Sequence, residues 1–133
     1  MKLNPAKEEC ERIKKSLTEF NNANVGEDGH AELNLAEYDD EGALIGGLLG
    51  GTYWGWLYVD FLWVEEDCRR QGLGSRLLEA AEQEARRRGC HHVYLDTMSW
   101  QAPLFYQKHG YRMIGTLPDI PRGNRKFLFM KEL

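Results

Sequence analysis

Apolar residues recur along this chain with two different periods. Cys10, Ile13, Leu17 and Phe20 are spaced three and four apart, which predicts an amphipathic helix from Pro5 to about Phe20, with proline tolerated in its first turn. The polar run "NNANVGEDGH" is expected to break it. From Glu32 to Tyr38, "ELNLAEY" alternates polar and apolar residues as a half-buried strand does. "DDEG", ending at Gly42, predicts a hairpin turn into the strand "ALIGGLLGGTY", and a second turn at Trp54 and Gly55 leads to "WLYVDFLWV". That last segment is apolar on both faces and is expected in the interior of its sheet, with Trp56, Tyr58, Asp60 and Leu62 sharing one side.

Helical spacing returns from about Gly72 to Arg88, where Leu73, Leu77, Leu78, Ala81 and Ala85 form one stripe and Gly89 closes the helix. Glu82/Arg86 and Glu84/Arg88 sit four apart with the acid first, the favourable order for surface pairs. "HHVYLDT" predicts another strand, and "APLFYQKH" a short helix with Pro103 in its first turn and Gly110 at its end. "YRMIGTL" and "KFLFMKEL" complete the sheet as an antiparallel pair. With no repeat, low-complexity tract or linker, residues 1–133 are expected to form a single α/β domain.

Composition narrows the function classes. A net charge of -4 lacks the basic footprint of a nucleic-acid binder, and the cluster Arg86, Arg87 and Arg88 reads as a solvated helix end. Cys10, Cys68 and Cys90 are odd in number and far apart, so they are expected to be free thiols in a reducing cytoplasm. The start "MKLNPAKEECERIKK" has no apolar core of a secretory signal. Adjacent His91 and His92 should point to opposite faces of a strand, and no other metal-ligand spacing occurs, so no metal is expected. Ala43 to Val64 carries a single charge, Asp60, over a length able to span a bilayer, with GxxxG spacings at Gly46/Gly50 and Gly47/Gly51. Acids flank it on both sides, without a Lys or Arg anchor. Its glycines and β-branched and aromatic residues suit two strands better, so no membrane partner is expected.

The chemistry concentrates in "VEEDCRRQGLGSRLL", where a strand, a glycine-containing turn and a helix N-terminus follow one another. The first backbone N–H groups of a helix have no internal partner and the helix dipole is positive there, so this arrangement can hold an anion. Glycines at Gly72 and Gly74 would let a phosphate approach the backbone. A bare strand-to-helix turn is the alternative. "GLGSRL" lacks the third glycine of a dinucleotide fingerprint, and no GxxxxGK[ST] is present.

"LWVEEDCRRQGLGSRLL" resembles the acetyl-CoA-binding motif of the GNAT acetyltransferase superfamily, R/Q-x-x-G-x-G/A, through Arg69, Gly72 and Gly74. "AAEQEARRRGCHHVYLDT" is similar to the family's long helix and following strand. "APLFYQKHGY" is similar to its second signature, matched by Ala102, Phe105, Tyr106, Gly110 and Tyr111. The agreement covers Leu33 to Leu133. Three positions depart from the family pattern: Ser99 stands where an asparagine contacting the pantetheine arm is frequent, Gln71 where Arg or Lys is common, and one helix rather than two fits before Glu32.

The resemblance implies a GNAT fold, with a mixed, mostly antiparallel central sheet flanked by helices and a splayed central strand pair. It implies an N-acetyltransferase that uses acetyl-CoA as co-substrate, with the acceptor amine attacking the thioester directly in a ternary complex. The CoA pyrophosphate would rest on the bend and helix start formed by Arg69, Arg70, Gln71, Gly72, Leu73, Gly74 and Ser75. Pantetheine would lie along the strand at Leu62, Trp63 and Val64 and near Ser99. Tyr106 would stabilise the leaving thiolate by a hydrogen bond, with a purely packing tyrosine as the alternative. For the amine's proton, Asp60 or Tyr58 is the candidate base, directly or through water, with a structural role for Asp60 as its alternative.

Tyr53, Trp54, Trp56 and Trp100 read as core aromatics, with a cation cage as the other option. The acceptor expected is a small-molecule amine such as a polyamine or aminoglycoside. A non-catalytic acyl-CoA or phosphate-ligand module and a protein-modifying, toxin-type acetyltransferase are the rivals. Family habit implies a homodimer.

Overall fold

Both predicted turns form and fold the glycine-rich middle of the chain into a meander. In the computed structural model, which describes residues 1–133, β1 (Ala31–Tyr38), β2 (Leu44–Tyr53) and β3 (Trp56–Val64) pair antiparallel in sequence order. Trp54 and Gly55 both have positive φ, 43° and 76°, as a two-residue hairpin turn with the right twist requires. The long apolar run is therefore two strands. No helix is long and apolar enough to cross a membrane.

A parallel neighbour needs a crossover, and α2 (Leu73–Arg87) provides it by carrying the chain from β3 to β4 (His92–Met98). α3 (Pro103–Lys108) then leads to β5 (Arg112–Pro118), and β6 (Arg125–Glu132) returns between β4 and β5. The strand order β1-β2-β3-β4-β6-β5, with one parallel pair among antiparallel ones, is the mixed architecture expected.

The predicted stripe of α2 builds the core. Leu73, Leu77, Leu78, Ala81 and Ala85 are buried against Leu48, Leu57, Val93 and Phe129. Each fully buried leucine contributes roughly 1.5–3 kcal/mol. Glu82, read from spacing as a surface partner of Arg86, is buried instead: it accepts from Lys131 Nζ at 2.7 Å and from the Tyr111 hydroxyl at 2.9 Å, with Arg86 at 3.8 Å. The i,i+4 rule identified a neighbour correctly but could not see the cation arriving from β6.

A bulge in β3 corrects the expected face pattern. Opposite β2 the register passes from Leu49↔Phe61 to Gly50↔Val59, so Asp60 is an extra residue. Leu57 and Val59 face α2 before the bulge, and Leu62 and Val64 pack at the margin of that core after it. Leu62 thus does not share a side with Trp56 and Tyr58. Gly50 accommodates the distortion, because a Cβ there would run into the Tyr58 carbonyl. Pairing of β3 with β4 stops at Val59↔Leu95, and the strands diverge beyond it as a splayed pair.

Three further expectations are corrected at the periphery. α1 (Lys7–Val25) begins after Pro5 and continues through the asparagines to Gly26, and none of its residues is buried, so its apolar stripe faces solvent. Tyr53, Trp54, Trp56 and Trp100 are half-buried or exposed rather than core, because α2 covers only the other face of the sheet. His91 precedes β4, with its N–H bonded to the Gly55 carbonyl at 2.9 Å, so strand alternation does not apply. Its ring meets His92 edge-on, with centroids 4.7 Å apart.

Candidate active site

The bend between β3 and α2 leaves a continuous run of unused donors. A single 3-10 turn, Glu66–Cys68, absorbs the N–H of Cys68 at 2.9 Å and that of Arg69 at 3.2 Å. The N–H of Arg76 donates to the Gly72 carbonyl at 3.0 Å. Between these, the backbone N–H groups of Arg70, Gln71, Gly72, Leu73, Gly74 and Ser75 donate to no protein acceptor. They open the N-terminus of a 15-residue helix, where the dipole adds positive potential.

The two glycines of the motif act differently. Gly72, the N-cap, has φ 79°, in the left-handed region that side chains disfavour, and a Cβ there would touch nothing within 4 Å. Its constraint is conformational. A Cβ on Gly74 would lie 3.5 Å from the Phe105 ring and 3.8 Å from Val64, ordinary contacts with the wall of a cleft.

That cleft, of about 1020 Å³, extends from the bend into the gap where β3 and β4 diverge. Its walls include Arg69, Arg70, Gly72, Leu73, Gly74 and Ser75 at one end, and the β3 segment Val59–Val64 along its side. The structure therefore brings Asp60, Leu62, Trp63, Val64 and Tyr106 together with the bend. Arg69 also braces the strand, its Nε donating to the Val64 carbonyl at 3.0 Å.

Three predicted site residues lie outside the cleft. Gln71 turns away, its Nε2 donating to the Asp67 carbonyl at 3.1 Å. Ser99 receives the Arg125 N–H at 3.3 Å and serves the start of β6. Tyr58 lies over Gly51 on the sheet face that α2 leaves bare, its hydroxyl 2.8 Å from His30 Nε2. Burial and then the neighbouring Asp60 charge raise its pKa. Asp60 itself is exposed at the bulge. The extra residue turns it to the cleft wall.

Tyr106 combines a packed ring with a free hydroxyl. The ring is 8% exposed among Tyr111, Phe129 and Phe105. No protein atom bonds the hydroxyl, yet no buried side-chain polar atom is left unpaired, so the oxygen opens to the cleft. Burial, and secondarily the Asp96 carboxylate, push its pKa up to about 12. It stays protonated at neutral pH, with its O–H free to donate a hydrogen bond into the cleft.

Sequence reasoning missed Asp96, Lys108 and His109. Asp96 joins Asp60 in the cleft, with Lys126 Nζ at 3.5 Å. Lys108 lines the end near α2. His109 Nδ1 donates to the Phe105 carbonyl at 2.8 Å, which leaves Nε2 to accept from the Ser75 hydroxyl at 2.9 Å. α3 is thereby tied to the first turn of α2, and Ser75 keeps its amide, not its hydroxyl, for a ligand. The run "YQKH" held Lys108 and His109 and "HHVYLDT" held Asp96, but only the β4–α3 topology shows where they converge.

The cleft is thus divided electrostatically: Arg69, Arg70, Lys108 and the unpaired amides at one end, Asp60 and Asp96 at the other. The first end suits a diphosphate and the second an ammonium. No group of three or more His, Cys, Asp or Glu side chains is placed to hold a metal.

Comparison with known proteins agrees with this geometry. The model of the Acetyltransferase (GNAT) family matches residues 3–111. An acetyltransferase of Agrobacterium fabrum is 41% identical over 111 residues, 84% of this chain and 81% of that protein. Blasticidin-S acetyltransferase of Streptomyces morookaense is 47% identical over 95 residues, 71% of this chain and 70% of that protein. The crystal structure of an acetyltransferase from Bacillus cereus superimposes with a TM-score of 0.94 at 38% identity, covering 100% of this chain and 97% of that one.

Proposed function

The chain belongs to the GNAT acetyltransferase family, and from that premise we propose that it transfers an acetyl group from acetyl-CoA to the amine of a small cationic acceptor. The observation that carries this reading is the run of unpaired amides from Arg70 to Ser75 at the cationic end of a cleft whose other end is anionic. The residues fit the co-substrate: a diphosphate takes the amides, with Arg69, Arg70 and Lys108 around it. Charge-assisted contacts of this kind contribute roughly 1.5–3 kcal/mol each.

When bound, acetyl-CoA supplies an activated thioester. The chain positions and polarises. Unpaired strand edge beyond Val59↔Leu95 gives the backbone groups of Leu62 and the N–H of Val64 to an extended arm lying between β3 and β4, because Glu65 N–H bonds the Ile45 carbonyl and the alternation turns Trp63 toward β2. Donors aimed at the acyl oxygen act as an oxyanion site. Holding amine and thioester together supplies most of the rate gain.

The acids at the acceptor end bind the ammonium, and for that reason they do not help it lose its proton. An opposite charge nearby favours the charged form. An alkylammonium of pKa about 10.4 is already neutral in only about one part in 10³ at pH 7. Asp60 therefore captures and orients the acceptor, and the proton leaves through water in the open cleft. Tyr106 faces the opposite problem and donates to the departing sulfur.

The test is thiol release from acetyl-CoA across a panel of cationic amines that includes blasticidin S, after which a relative is named. Turnover with small amines supports the reading. CoA binding without turnover across the panel would instead make the chain a binding module, and acetylation of lysate proteins alone would make it a protein-modifying enzyme.

A further inference from the structure

Two apolar surfaces of this chain face solvent. On α1, Ile13, Leu17 and Phe20 stand 64%, 60% and 66% exposed in one stripe. On the sheet face opposite α2, Leu49 and Phe61 are 48% and 66% exposed, with Trp63 and Tyr94 also open. Single exposed apolar residues need no explanation, but a contiguous aromatic face and a helix with an idle stripe do. A helix draws most of its stability from packing such a stripe.

The chain does not bring the two together itself, because its connector is pinned. The Asp28 carbonyl accepts from the Trp54 N–H at 2.7 Å, the Asp28 carboxylate from the His30 N–H at 3.0 Å, and His30 Nε2 lies 2.8 Å from the Tyr58 hydroxyl. These bonds tie residues 28–30 to the β2–β3 turn and the bare face, and so set the direction in which α1 departs. Folding α1 back would break them. The full-chain superposition on the Bacillus cereus structure argues likewise, since residues 1–25 placed elsewhere would not allow so high a score.

We propose that α1 of one copy docks its stripe across the aromatic sheet face of a second copy, and reciprocally, in a two-fold dimer with exchanged arms. Reciprocity covers all four surfaces and closes the assembly. A helix of 19 residues is about 28 Å long and about 10 Å wide. Two such footprints, counted on both partners, bury roughly 1,100 Å², which clears the ~1,000 Å² that a specific interface needs. Phe61 and Trp63 belong to both this face and the cleft, so the partner's arm walls the acceptor end. The interface stands without the acetyltransferase reading; only its effect on the acceptor rests on that reading.

Sedimentation of the full chain at tens of micromolar tests this. The wild type is expected at about twice 15.4 kDa. Leu17→Asp, which spoils the arm, and Leu49→Asp, which spoils the face, are each expected as monomers. Both side chains are exposed, so both variants keep their fold by circular dichroism. An equimolar mixture of the two retains one good arm and one good face, and is expected to recover part of the dimer. CoA affinity by calorimetry stays within twofold in both variants, while the KM for the amine rises at least tenfold in Leu17→Asp. A monomeric wild type, a dimer that survives Leu17→Asp, or one lost in Leu17→Asp but kept in Leu49→Asp would each overturn the exchange. Absence of CoA binding in every form would sink the enzyme reading and leave the interface standing.

Discussion

A Tyr106→Phe substitution removes one oxygen from a ring whose packing it otherwise preserves. The ring centroids of Phe105, Tyr111 and Phe129 lie 5.1, 5.8 and 6.1 Å away, and phenylalanine keeps all three neighbours. Because the hydroxyl has no protein partner, no buried group is orphaned, and the melting temperature should move by less than about 2 °C. The chemistry should suffer instead. A phenol pushed up to about 12 faces a thiol of pKa about 8.5, so complete proton transfer to the leaving sulfur is uphill by roughly 5 kcal/mol. Under the proposed function Tyr106 therefore acts as a hydrogen-bond donor to developing charge, an interaction of roughly 1.5–3 kcal/mol. Its loss lowers kcat about 10- to 150-fold. Initial rates of thiol release at saturating acetyl-CoA, with a thermal melt alongside, measure both quantities. An unchanged kcat would remove Tyr106 from the chemistry, and a melting temperature lowered by more than about 5 °C would make it a packing residue.

Other outcomes follow from the same geometry. Since Tyr106 stays protonated to about pH 11, kcat/KM for an alkylamine should climb about tenfold per pH unit from 7 to 9 and show no fall near 10; a descending limb centred there would mean an unperturbed phenol. The raised folded-state pKa also means that Tyr106's contribution to stability is complete below pH 10 and is lost between pH 10 and about 12, amounting to about 3 kcal/mol; because the pKa values of Tyr58, Tyr94 and Tyr111 are raised as well, the difference in urea midpoints between wild type and Tyr106→Phe across that range measures it. Gly72→Ala meets no clash but forces a side chain to φ 79°; about 1–2 kcal/mol should appear either as lost stability or as 5- to 30-fold weaker CoA binding, and a variant unchanged in both would contradict the cradle geometry. Lys131→Met strands the Glu82 carboxylate and should cost about 3 kcal/mol in chemical denaturation, whereas a neutral result would mean that Arg86 moves in from 3.8 Å to replace it.

The elements that local pattern determines were legible in the sequence. The stripe of α2 needs only helical spacing, the two hairpins need only their turn residues, and the unpaired amides follow from any strand that turns through glycine into a helix. What was not legible depended on partners remote in sequence. Asp60 carries no local mark of a bulge, yet the one-residue insertion opposite Gly50 moves Leu62 to the core side and turns Asp60 into the cleft. Glu82 looks like any surface acid of a helix until β6 delivers Lys131. Ser99 and Gln71 sat at plausible positions, but each is occupied by a backbone contact of its own. The stripe of α1 predicted a helix correctly but not that its apolar face stands exposed.

The central claim is that the amides from Arg70 to Ser75 hold the diphosphate of CoA. Titrating CoA into the 15N-labelled protein and following backbone amide resonances tests it residue by residue. The account predicts that the largest shifts cluster at residues 70–75 and are lost when S-acetylpantetheine, which lacks the diphosphate, replaces CoA. Saturable binding that leaves those six resonances in place would contradict it.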